Sequence, residues 1–199
     1  MTAVREATEA PAITTEMPSG RTTGWWGMVL FVTTEATFFA AALGSYFYIR
    51  FQSGPQWPPP PLEDPKLMKV WVMTAVLLPS SLPVMWAEHG IRKGQRWRLR
   101  AGLSLTLLMG LTFLGLQMRE YHDVGFTPET GAFASTFFCL TGLHGTHVLV
   151  GATLLAIAFV RSLRGHYSVE HHMGVELTGI YWHFVDLVWV ILFTTVYIL

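Results

Sequence analysis

An all-α integral membrane protein, a bundle of five transmembrane helices, is the fold class that this sequence predicts. Three observations predict it. The chain of 199 residues is 51% hydrophobic and only 13% charged, where soluble domains carry roughly a quarter charged residues. The charges crowd into short segments and leave long neutral runs. Five of those runs reach the length of about 20 residues that a helix needs to cross a bilayer, and all far exceed a barrel strand of about 10.

The spans fall at about 25–49, 68–87, 99–118, 131–160 and 177–199. The first carries one charge, Glu35. Along it Ala36, Ala40 and Gly44 form a row of small residues, with Thr37, Ala41 and Ser45 beside them; such rows let helix backbones approach in lipid. The second span holds Pro79 and Pro83, each removing a backbone hydrogen bond, so a bend is predicted there. The fourth carries His144 and His147, the fifth His183 and Asp186. Residues 1–23, rich in Thr, Ala, Glu and Pro and without the apolar core of a signal peptide, are expected to be a disordered tail before the 24–199 membrane domain.

The loops orient the bundle. The tail, the segment Glu88 to Arg100 and the loop after span four hold nine of the thirteen Lys and Arg. The positive-inside rule then puts the N-terminus in the cytoplasm and the C-terminus outside. The outer loops are expected to contain the stiff run Trp57 to Pro61 and the acidic stretch Glu120 to Asp123. A net charge of zero argues against nucleic acid as a partner, and the single cysteine, Cys139, excludes an internal disulfide.

Polar residues inside the membrane are costly and need a reason. At a rise of about 1.5 Å per residue, Glu35 and Asp186 lie about 15 Å into their spans, His183 about 10 Å, and His147 about 20 Å from the opposite end. These four are predicted to share a layer, with His144 one turn further out, as one buried polar cluster. Three readings compete. Histidines at i, i+3 with a third from another helix suit a metal or haem, but the zinc-protease glutamate is missing from His144-Gly145-Thr146-His147. Buried carboxylates and histidines also make proton or ion pathways, including that of a stand-alone proton-coupled transporter. The third reading, which leads, is a structural hydrogen-bonded network that orders the bundle and a bound phospholipid headgroup. Outside the spans, His89, His166, His171 and His172 sit on the predicted cytoplasmic side, where they either collect protons or belong to solvated loops.

Several motifs carry a resemblance. Thr34-Glu35 followed by Phe38-Phe39, then Gln117, Glu120 and Tyr121, then Ser135-Thr136-Phe137-Phe138 with Gly142, His144, Gly145, His147 and Val148, and finally Tyr181-Trp182-His183-Phe184-Val185-Asp186 with Val188-Trp189, occur in this order. Over most of residues 24–199 the chain resembles subunit III of the haem-copper respiratory oxidases, best known from cytochrome c oxidase, in its five-helix bacterial form. The resemblance implies an accessory subunit of an aerobic terminal oxidase, in a bacterial cytoplasmic membrane. It implies no catalytic residue, haem or copper in this chain. The haem and copper belong to subunit I, which packs directly beside it, with subunit II also in the complex. The role it implies is protection of the complex during turnover and help with proton uptake. It also implies that Glu35 matches the family's carbodiimide-reactive carboxyl. Phospholipid sites known from the seven-helix form do not transfer simply, because the first two helices are missing. Quinol oxidases and clusters associated with nitric oxide reductase carry similar relatives, and the residues do not separate them.

Overall fold

The computed structural model describes residues 22–54, 57–58 and 67–199. The expectations for the tail and for most of the proline-rich connector lie outside these residues. Among the described residues all regular structure is helical: α1 (Thr23–Gln52), α2 (Leu67–Leu77), α3 (Ser81–Arg92), α4 (Arg96–Asp123), α5 (Ala132–Leu163) and α6 (Met173–Leu192), which continues as a wider π-type turn over Phe193–Ile198. With α2 and α3 joined end to end, five helices among the described residues are long and apolar enough to cross a membrane.

Proline shapes the second span as expected. A 3₁₀ turn over Leu78–Ser80 joins α2 to α3. Pro79 is the second residue of that turn, and the Ser81 N–H donates to the carbonyls of Leu78 and Pro79; Pro83, four residues on, has no N–H to offer the Pro79 carbonyl, so the tightened turn supplies it with a donor.

Two polar stretches taken for loops are helical. Glu88 to Arg92 forms the end of α3, and the chain turns only at Gly94, where φ is +72°, a value that favours glycine. The Arg92 guanidinium reaches Glu176 at 2.8 Å, so Arg92 has its partner on α6. His89 is therefore an exposed helical residue. Glu120 to Asp123 is the last turn of α4, and Glu120 is buried. Lys69 on α2 lies 2.6 Å from Asp123 and 3.8 Å from Glu120, which lets the helix carry its acidic end.

The core lies where α4, α5 and α6 meet. Trp182 and Trp189 are fully buried there. The indole N–H of Trp182 donates to Ser80 Oγ at 2.8 Å, and that of Trp189 to Thr74 Oγ1 at 3.0 Å. Glycine makes room for the first of these rings. A Cβ at Gly110 would lie 2.5 Å from Trp182, and one at Gly151 2.9 Å from it. In contrast, α1 rests against α5 and α6 on one side only, and its two buried residues are Phe39 and Tyr46. Its rows of small residues are exposed rather than packed against another helix of this chain.

Candidate functional site

The polar residues of the membrane interior fall into three groups, not one. The first joins α1 to α5. His147 Nε2 lies 2.9 Å from Glu35 Oε2, and His147 Nδ1 lies 2.8 Å from the Leu143 carbonyl. Phe39 packs on the imidazole with ring centres 4.8 Å apart. Glu35 keeps 26% side-chain exposure and His147 11%, so the pair sits at the edge of the bundle. Both imidazole nitrogens are engaged, which holds the ring in one orientation.

The second group joins α3 to α6. Ser81 Oγ donates to Asp186 Oδ2 and lies 2.8 Å from His183 Nδ1. A serine hydroxyl has one proton. With that proton on Asp186, the Nδ1–H of His183 must donate to Ser81 Oγ, and the lone pair of the imidazole is left on Nε2. Asp186 is buried, and its Oδ1 has no hydrogen-bond partner.

His144 stands apart from both. It is fully buried, and neither ring nitrogen has a partner. Its ring lies against Phe113, edge on at 5.7 Å, and against Trp189 at 5.1 Å. Nearby on the α4/α5 seam, Gln117 Nε2 donates to the Thr141 carbonyl at 2.6 Å and to Tyr121 Oη at 2.9 Å.

The predicted common layer therefore does not become one network. Helix rotation decides this rather than depth. Residues at similar depth on different helices meet only when their faces point at each other, and α6 turns His183 and Asp186 toward α3 while α1 turns Glu35 toward α5. Among the described residues no hydrogen bond joins the groups, and no set of three or more His, Cys, Asp or Glu is placed to hold a metal ion. The donor geometry agrees. His144 is walled by aromatic rings, His147 uses both nitrogens on protein atoms, and His183 uses one on Ser81, so the imidazoles do not converge as haem or copper ligands.

Sequence reasoning missed Ser81, Ser80 and Thr74, the hydroxyls that anchor His183, Asp186 and both tryptophans. A signal existed: Ser80-Ser81 lies between two prolines within an apolar run, where unpaired hydroxyls are unfavourable. The surface histidines cluster only loosely. His166 and His171 are exposed in the loop before α6, and His172 Nε2 lies 3.3 Å from Glu176.

A multi-pass helical membrane protein with separate polar pairs buried between its helices is the class these features define. The family model for Cytochrome c oxidase subunit III matches residues 4–199. The chain is 41% identical over 182 residues to cytochrome c oxidase subunit 3 of Cyprinus carpio, covering 86% of this chain and 68% of that one. Identity to the Gadus morhua protein of the same name is 41%, and to that of Struthio camelus 39%, with the same coverage. The chain belongs to the cytochrome c oxidase subunit III family, accessory subunits of the haem-copper oxidases, and is thus a component of an oxidoreductase complex.

Proposed function

We propose that this chain is a non-catalytic subunit of an aerobic terminal oxidase that reduces oxygen with electrons from cytochrome c. It packs beside subunit I, which carries the haems and copper with subunit II in the same complex, and it lies in a bacterial cytoplasmic membrane with its N-terminus inside. Family membership supports the complex. The observation that carries the non-catalytic part is the use of the membrane histidines: Glu35, Leu143 and Ser81 engage His147 and His183, and aromatic rings enclose His144. Such side chains stiffen a bundle and leave no converging ligand set.

The excess of Lys and Arg on one side supports the orientation. His89, His166 and His171 lie exposed on that side, which supports a contribution to proton uptake there. The role of the chain is then to stabilise its neighbour during turnover. The test is a time course of oxygen consumption by the complex with and without this chain. The expected result is an equal initial rate followed by faster inactivation without the chain. A lower initial rate with an unchanged lifetime would refute the role.

A further inference from the structure

We propose that the outward face formed by α1, α3 and α6 docks a transmembrane helix of a neighbouring subunit that presents a hydrogen-bond donor to His183 Nε2. This rests on the reading that the chain works inside a multi-subunit complex. His183 lies ten residues into α6, about 15 Å from its start at a rise of about 1.5 Å per residue, and so near the middle of the bilayer. The ring is half-buried. Its Nδ1 is held by Ser81, and Ser81 is held by Asp186. The hydrogen-bond order described above leaves Nε2 as an acceptor with no partner among the described residues.

Lipid tails cannot fill that position. An acceptor unpaired in hydrocarbon is costly, and polar side chains at such depth face protein or a cavity. Headgroups lie a bilayer half-thickness away. A hydroxyl, amide or indole N–H from a facing helix supplies the required chemistry.

The surroundings suit a helix. Leu187 and Ile191 continue the exposed stripe of α6 at i+4 and i+8 from His183. Beside them an apolar groove of about 350 Å³ runs between α6 and α1, with Ala36 and Ala40 on its α1 wall. Small residues there permit close backbone approach. On the other flank, Leu82 and Met85 of α3 are exposed. The small-residue row that finds no partner within this chain thus lines a groove that shares Leu187 and Ile191 with the stripe beginning at His183.

The test is site-specific photo-cross-linking in the intact complex. A photoreactive phenylalanine analogue replaces Leu187 in one sample and Leu149, an exposed residue of α5, in another. The expected result is a peptide adduct at position 187 that maps by mass spectrometry to one transmembrane segment of a co-purifying chain, and none to that segment from position 149. Adding His183→Phe should lower the adduct yield about tenfold, the scale of one interhelical hydrogen bond, and His183→Gln, which restores an acceptor, should recover it. Adducts to lipid alone at position 187, or a yield indifferent to both His183 variants, would overturn the docking face and leave the oxidase reading intact. An adduct to a chain of some unrelated complex would instead defeat the oxidase reading.

Discussion

The first and last helices differ in a way their hydropathy conceals. Both are long, apolar and interrupted by acidic or histidine side chains. Yet 6% of the most apolar window of α1 is buried within the chain, against 67% for the last span. The α6 helix buries two tryptophans and supplies Asp186 and His183 to α3. The α1 helix supplies Glu35 to one side and leaves the rest of its surface outward. In water the burial of apolar residues would drive both inward. In lipid the tails are as apolar as leucine, so packing and hydrogen bonds decide which helix becomes central.

The contrast is broken most severely at Trp182. Truncating it to Ala removes a fully buried ring and its bond to Ser80, and should cost about 3–5 kcal/mol, read as loss of thermal stability in detergent. If Trp182→Ala were no worse than a change on α1, α6 would not be the organising helix. Gly110→Ala tests the same contact from the opposite wall. The added methyl meets the Trp182 ring at 2.5 Å, and overpacking of this kind costs about 1–3 kcal/mol.

Smaller effects are expected at the edge of the bundle. Glu35→Ala leaves His147 Nε2 without its hydrogen-bond partner, a loss of about 1–3 kcal/mol for a partly buried group left unsatisfied. The same variant should abolish carbodiimide labelling if Glu35 is the reactive carboxyl, and mass spectrometry of the labelled chain checks this. On the outward surface of α1, Leu30→Ala should change stability by less than about 0.5 kcal/mol, because Leu30 is exposed. A large loss there would mean that α1 is packed within the chain after all.

The least effect is expected at Tyr167, in the loop before α6. Burial holds its hydroxyl above the ordinary value of 10.0, while the Arg161 guanidinium nearby pulls the other way. A raised value means that the folded chain holds the proton more tightly than the unfolded one. That contribution is fully present below about pH 10 and is lost as pH rises through the folded value. Tyr167→Phe should therefore flatten the alkaline end of the stability profile and leave neutral pH unchanged.

Much of this was legible in the residues. Five apolar runs gave five membrane-length helices, and Pro79 marked the 3₁₀ turn in the second. The loop positions were less legible. Glu88 to Arg92 and Glu120 to Asp123 look like loops because they are charged, but charge does not end a helix when a neighbouring helix offers Glu176 or Lys69 in return. The polar cluster was legible in its depth and not in its direction. A rise per residue places Glu35, His147, His183 and Asp186 in similar layers, whereas rotation about each axis is set by packing that no single helix reveals. Ser81 fixes that rotation for α6, and its importance appears only once α3 lies beside it.

The central claim is that the histidines of this chain ligate no redox centre. Haem and copper content of the complex, measured per subunit I before and after this chain is removed, tests it most directly. The account predicts an unchanged ratio of haem and copper to subunit I. Loss of one haem or copper for each chain removed would contradict it.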